Sequence, residues 1–288
     1  MSERNYGLVL EGGAMRGLFT AGVLDVLMEN GVSFDGLVGV SAGAAFGSNF
    51  KSGQIGRTLR YNLAFCRDKR YCSFRSYLKT GDLFGADFCY RTLPLELDVF
   101  DDAAFCASPM EFYAVATDVD NGEAVYFDCR EGGLKALDYI RASASMPLVS
   151  RPVEIDGKRF LDGGISDSVP LAFFEGLGYR KNVVVLTKPY GYRKKKMPCG
   201  AAFALRKLPA VAKAMQKRHL GYNLALSEIE EKEKRGEIFV IRPDAPLPIG
   251  HTTHSQKKLR RVYAIGRAVA ERELSRLLSY LKEDGESS

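Results

Sequence analysis

Apolar residues in this chain fall into two patterns, short continuous runs and longer stretches spaced every three or four positions, and the two alternate along the sequence. Runs such as Gly7-Leu8-Val9-Leu10 and Leu37-Val38-Gly39-Val40 are too short for helices and apolar throughout, as in strands buried on both faces. Strands are expected near 6–11, 36–40, 111–117, 123–127, 152–155, 158–161, 182–187 and 237–241. Helical spacing is expected near 16–30, where Leu18, Ala21, Val23, Leu24, Val26 and Leu27 recur, and near 42–51, 54–66, 133–143 and 168–176. This alternation predicts an α/β fold of three α/β/α layers, with a mostly parallel central sheet and one antiparallel hairpin at 152–161. Beyond 200 the pattern is helical, near 201–217, 221–235 and 255–282, the last long, charged and amphipathic and running into a frayed Glu283 to Ser288. The expected organisation is a domain at 7–175 followed by a basic, mainly helical extension at 176–288.

The stretch from Arg67 to Asp102 fits neither pattern. It holds Tyr71, Phe74, Tyr77, Phe84, Phe88, Tyr90 and Phe100, and is expected to be an irregular insertion that either packs plainly or walls an apolar pocket.

Composition narrows the class. With 46% hydrophobic and 26% charged residues, 288 positions can bury a large core. The six cysteines, at 66, 72, 89, 106, 129 and 199, form no C-x-x-C pair, and Met1 to Asn5 carries no signal-peptide pattern. No apolar run approaches the ~18 residues that span a bilayer, so the expected location is the cytoplasm, with any membrane contact peripheral. His219, His251 and His254 have no metal-ligand spacing, and neither metal nor cofactor is expected.

Charge is uneven. Residues 176–227 hold 12 Lys or Arg and no Asp or Glu, leaving 29 bases against 35 acids elsewhere, so the net charge of +6 arises wholly in this segment. From Arg180 to Arg218 it could face anionic lipid, with Tyr190, Tyr192, Phe203, Leu205 and Leu208 adding apolar contact, or be a solvated face. Nucleic acid ranks below both, because no recognition motif accompanies the charge.

Three short motifs carry candidate chemistry. Gly39-Val40-Ser41-Ala42-Gly43 joins an apolar run to a small-residue helix start, a turn that would present Ser41 as a nucleophile at a helix N-terminus. Upstream, Glu11-Gly12-Gly13-Ala14-Met15-Arg16-Gly17 follows a strand and precedes a helix, leaving backbone N–H groups free to stabilise an oxyanion. Downstream, Asp162-Gly163-Gly164 ends an apolar strand with a carboxylate, a candidate base. Each has a bland alternative: strand–helix packing at the glycines, a helix N-cap at Ser41, a hairpin turn at Asp162.

In this order the motifs resemble the patatin-like phospholipase family over roughly residues 7–175. The resemblance implies a patatin-like three-layer fold, a Ser41/Asp162 dyad without histidine, and an oxyanion hole formed by Gly12, Gly13, Ala14, Arg16 and Gly17. Gly39 and Gly43 would shape the nucleophile turn and Gly163 and Gly164 the base motif, with no cofactor and with a lipid or ester as substrate. The sequence departs from the family at Ala14, where a third glycine is usual; a positive φ there would cost roughly 1 kcal/mol. Arg16 could hold a substrate phosphate, fix the loop or form a surface ion pair. An α/β-hydrolase also uses Gly-x-Ser-x-Gly, but 40 residues before Ser41 leave no room for its preceding strands. A dinucleotide site needs an acid ending the second strand, where Ser41 follows instead. The implied activity is hydrolysis of lipid carboxylic esters through an acyl-enzyme; the alternative is a protein that binds acyl groups or anionic lipid without cleaving them.

Overall fold

Eight strands, β1 (Tyr6–Leu10), β2 (Gly36–Val40), β3 (Glu111–Asp118), β4 (Ala124–Asp128), β5 (Val153–Ile155), β6 (Lys158–Asp162), β7 (Lys181–Val185) and β8 (Ile238–Ile241), form one sheet at the positions the apolar runs indicate. The computed structural model describes residues 5–282, apart from the side chains of 199, 201 and 202; the expected frayed end at Glu283 to Ser288 lies outside the described residues. Strand order is β5-β6-β3-β2-β1-β7-β8, with β4 also paired to β3. Pairings among β3, β2, β1, β7 and β8 are parallel. Those of β3 with β4, β3 with β6 and β5 with β6 are antiparallel, so the antiparallel part is wider than one hairpin.

Side-chain alternation assigns the two faces. Leu8, Leu10, Leu37, Val183 and Val185 pack on one side with α1 (Leu18–Glu29), α2 (Ala42–Lys51) and the C-terminal α10 (Gln256–Lys282). Val9, Val38, Val40, Val184 and Leu186 pack on the other with α7 (Leu171–Gly176) and α9 (Pro209–Lys234), completing three layers. Ten of the twelve α1 residues are buried because α1 lies between the sheet and α10. At their crossing, a Cβ on Gly22 would stand 2.2 Å from the Tyr263 carbonyl oxygen and one on Gly266 2.0 Å from that of Phe19. Only glycine permits two helix backbones to approach that closely.

Two expectations need correction. The 67–102 stretch is wound rather than irregular: it holds α4 (Phe74–Thr80) and a π-type segment Phe88–Leu97, and α5 (Asp102–Ala107) follows, after α3 (Arg57–Phe65). Such turns are too short to display a period, but Ser73 and Asp101 cap α4 and α5 by accepting the Ser76 and Ala104 N–H groups at 3.0 and 2.9 Å. Beyond α6 (Gly133–Ser143), the helix expected at 201–217 is broken at 205–208, between the short α8 (Cys199–Ala204) and α9, and α9 then runs unbroken through 218–220, just before Gly221, where a division was expected. A lone helical glycine costs ~1 kcal/mol, and the buried stripe Tyr222, Leu226, Ile229 holds the helix together across it.

Candidate active site

The site forms where two strands end against a third. Val115 of β3 pairs with Val40 of β2 on one edge and Tyr126 of β4 on the other; the next residue, Ala116, pairs with Asp162 of β6 and Val125 of β4. Because β4 fills one edge at both positions, β2 and β6 share the other and meet end to end. The chain leaves β2 at Ser41 and β6 at Asp162, so pairing register alone brings these two residues together, 121 positions apart in sequence. Both are buried. A Cβ on Gly163 would lie 2.1 Å from the Val115 carbonyl oxygen, so glycine is needed for β6 to close into this lane.

Ser41 has φ 55° and ψ −120°, a strained conformation of the kind that gathers at functional sites and costs about 1–3 kcal/mol. It stands at the N-cap of α2, yet its side chain caps nothing. Its N–H donates to Ser143 Oγ at 2.9 Å. The tight turn needs bare backbone at its flanks: a Cβ on Gly39 would meet Ala44 N at 2.5 Å, and one on Gly43 would meet the Leu10 carbonyl oxygen at 2.6 Å.

The Asp162 carboxylate lies beside the Ser41 hydroxyl, and its Oδ1 accepts the Gly164 N–H at 2.7 Å. Burial raises its pKa above the ordinary carboxylate value; the neighbouring Ser41 hydroxyl, the Arg218 charge and the Gly164 N–H offset part of that rise. The main chain is pinned on both sides, Asp162 N–H donating to Ser145 O and Thr117 Oγ1 to Asp162 O, each at 2.8 Å. His219 and His251 line the cleft beside Asp162 without bonding to it; His251 Nε2 lies 3.4 Å from Arg16 Nη1, and His254 Nδ1 meets Cys66 O.

Gly12 and Gly13 pass beside Ser41 and lead into a 3-10 turn, Ala14–Gly17, at the head of α1. A Cβ on Gly12 would stand 3.1 Å from Ser41 Cβ, and one on Gly17 2.8 Å from Ala42 Cβ. Ala14 does have a positive φ, +47°, so the residue that departs from the usual glycine bears the strain the sequence reading attached to it. The N–H groups of Gly13 and Ala14 have no hydrogen-bond partner among the described residues, whereas Arg16 N–H returns to Gly13 O at 3.0 Å.

Ser41 and Ala14 border two cavities of opposite character. One, of about 150 Å³, is largely apolar, walled by Phe46, Tyr61, Tyr71, Phe84, Tyr90, Leu93, Phe100 and Ile140, so the aromatic stretch forms one of its walls. The other, of about 350 Å³, is polar and contains Asp162, Arg16, Lys188, Lys194, Arg218, His219 and Tyr222. Part of the basic segment thus turns inward, and Leu205, a candidate for apolar surface contact, is buried with Val119, Leu161, Ile165 and Val211.

Sequence reasoning missed the supports of the site. Ser143 and Ser145, in the small-residue run Ala142 to Ser145 ahead of Pro147, bind the main chain at Ser41 and Asp162; the run was the only available signal. Glu11 is buried and fully engaged, Oε2 accepting from Thr187 N–H at 2.5 Å and Thr187 Oγ1 at 3.0 Å, Oε1 from the Tyr222 hydroxyl at 2.5 Å. No local pattern announces contacts that span 176 and 211 residues.

The patatin-like phospholipase family matches residues 8–174, and a domain of unknown function (DUF6363) matches 208–282. The Escherichia coli protein named "Uncharacterized protein YjjU" is 29% identical over 90% of this chain and 74% of its own length. The Mycobacterium tuberculosis protein named "Uncharacterized NTE family protein Rv1063c" is 29% identical over 64% of this chain and 49% of its own. Lysophospholipase nte1 of Aspergillus niger is 27% identical over 61% of this chain but only 11% of its own. The chain therefore spans about half of the mycobacterial relative and a small part of the fungal one. Among solved structures, VipD from Legionella pneumophila overlaps 94% of this chain and 67% of its own at a TM-score of 0.45 and 12% identity. With the patatin-like match covering more than half of its residues, this chain belongs to the patatin-like phospholipase family.

Proposed function

We propose that this chain hydrolyses carboxylic esters of lipids through an acyl-enzyme on Ser41, with Asp162 as the base. The observation that carries the reading is the meeting of Ser41 with a buried carboxylate of raised pKa, at the junction of an apolar and a cationic cavity. Family membership and relatives named lysophospholipase support the same class.

Asp162 takes the Ser41 proton as Ser41 Oγ attacks the ester carbonyl, and the Gly13 and Ala14 N–H groups receive the developing oxyanion. The intermediate collapses, the alkoxide leaves with the proton from Asp162, and the acyl group remains on Ser41. A water molecule, deprotonated by Asp162, repeats the attack and frees the acid and Ser41. Desolvation makes Asp162 a stronger base than an exposed carboxylate, which this histidine-free chemistry requires. The acyl chain lies in the apolar cavity and the alcohol in the cationic one. Phe203, Arg206, Lys207, Lys213 and Lys217 are exposed, which favours peripheral contact of this flank with an anionic membrane.

Hydrolysis of p-nitrophenyl esters of increasing chain length, and of phospholipid vesicles, tests the reading in wild type, Ser41→Ala and Asp162→Asn. Both variants are expected to fall by a factor on the order of 10³ or more in kcat while retaining the wild-type circular dichroism spectrum. Wild-type rates no higher than those of Ser41→Ala on every ester overturn it in favour of non-catalytic lipid binding.

A further inference from the structure

The polar cavity beside Ser41 is walled by four cations from four separate segments: Arg16 after β1, Lys188 after β7, Lys194 ahead of α8 and Arg218 on α9. A fifth, Lys195, also lines it but is exposed, whereas these four are partly buried, and among the described residues none of the four forms an ion pair within 4 Å of a carboxylate. Lys188 and Lys194 lie instead over the rings of Tyr192 and Tyr222, 4.6 and 4.0 Å from their centroids. Nε of Arg16 and Nε of Arg218 are buried with no hydrogen-bond partner. Glu11, the carboxylate that could answer them, is occupied by Thr187 and Tyr222. Asp162 is the other acid in the wall, and Arg218 lies against it: a Cβ on Gly164 would stand 2.9 Å from Asp162 Oδ1 and 3.0 Å from Arg218 Nη2.

Holding four like charges in a partly desolvated cleft is unfavourable, and the strain is visible. Burial, then the charge of Arg218, push the Lys194 ammonium down to about 7, and Arg16 and Lys188 add to the repulsion. An anion in the cavity would offset the repulsion among these charges. A terminal phosphate monoester fits best: it carries about −1.5 to −2 charges and three strong acceptor oxygens, enough to engage several donors at once. A zwitterionic head group would bring a quaternary ammonium into the same field.

We propose that this cavity is a phosphate subsite that selects acyl esters whose alcohol bears a terminal phosphate monoester over those with zwitterionic or uncharged alcohols. The inference rests on the hydrolase reading of Ser41 and deepens it by naming the substrate class. Three of the four cations lie beyond the patatin-like match, and Arg218 lies within the matched domain of unknown function, which thereby acquires a role in head-group recognition.

Hexanoyl glycerol phosphate, hexanoyl glycerophosphocholine and hexanoylglycerol, kept monomeric, give the test. Wild type is expected to favour the phosphate monoester by about tenfold or more in kcat/KM, a difference of ~1.4 kcal/mol. Lys194→Met and Arg218→Met are expected to collapse that ratio, chiefly through KM; the ratio is the readout because the charge of Arg218 also acts on the base. Equal wild-type preference for the three esters, or a ratio untouched in both variants, overturns the proposal. Inorganic phosphate is expected to compete with the phosphate ester; if it alters hexanoylglycerol turnover while wild type shows no preference among esters, the cavity serves free phosphate and the proposal falls. Calorimetric binding of hexanoyl glycerol phosphate to Ser41→Ala, with and without Arg218→Met, separates the two readings. Binding that depends on Arg218 upholds the subsite even if no ester is turned over, and absence of binding to Ser41→Ala overturns it even if hydrolysis stands.

Discussion

Asp162 joins function and stability in one side chain. Its pKa is raised mainly by desolvation, so the folded state resists its ionisation more than the unfolded chain does. Below the ordinary carboxylate pKa both states are protonated and there is no penalty; as pH climbs through the raised folded value, the folded protein loses stability relative to the unfolded. Asp162→Asn, which removes the charge but keeps an acceptor for the Gly164 N–H, should therefore raise Tm at pH 8. The gain should vanish toward pH 4, as thermal scans across that range would reveal. Equal Tm at pH 8 would mean that the Arg218 charge and the Ser41 hydroxyl fully offset burial. Ala14 holds a second reserve of strain: at φ +47°, Ala14→Gly should stabilise the fold by about 1 kcal/mol, read as a rise in denaturation midpoint at unchanged m-value. Sequence alone made Ala14 a conditional case, because φ is set by how the loop threads between Ser41 and Thr187.

At the scale of elements, the proposed catalytic geometry reduces to pairing register along β3. Gly163→Ala would place a methyl 2.1 Å from the Val115 carbonyl oxygen, backbone that cannot step aside without parting β6 from β3. The expected result is a loss of at least ~2 kcal/mol of stability and, in the fraction that folds, a drop of about 10²-fold in kcat with little change in KM, because a displacement near 1 Å at the base suffices. Wild-type kcat in a folded Gly163→Ala protein would show that the lane does not position Asp162. The central strands β1, β2, β3 and β7 were legible as apolar runs that must be buried whatever their partner, and β5 and β6 as the two arms of a short hairpin. Their order was not: that β2 and β6 share one edge of β3 follows from β4 occupying the other, a fact of tertiary pairing that no local pattern encodes. The motifs named Ser41 and Asp162, but Ser143, Ser145 and Tyr222, which hold the chain around them, are ordinary residues until the fold brings them there.

Across the whole molecule, residues beyond 175 grip the loop Glu11 to Gly17 at both ends. On one side Tyr222 of α9 and Thr187 hold Glu11; on the other α10 lies on α1, whose first turn continues the loop, and His251 O accepts the Met15 N–H at 3.4 Å. β7 and β8 also extend the sheet from β1, on the side opposite β2. This arrangement makes the C-terminal segment part of the machine that shapes the site, so the site and the extension should unfold together. Gly266→Leu tests that coupling far from Ser41, because its side chain would press on the Phe19 carbonyl oxygen, which a Cβ alone already approaches to 2.0 Å. Overpacking of this kind costs about 1–3 kcal/mol or more, which at this chain length lowers Tm by at least a few degrees. Ester hydrolysis and far-ultraviolet circular dichroism should then be lost in one transition at the same lowered temperature. If hydrolysis instead survives the loss of helix signal, residues 7–175 sustain the site by themselves, and the contacts of Tyr222 and α10 with the loop are dispensable to it.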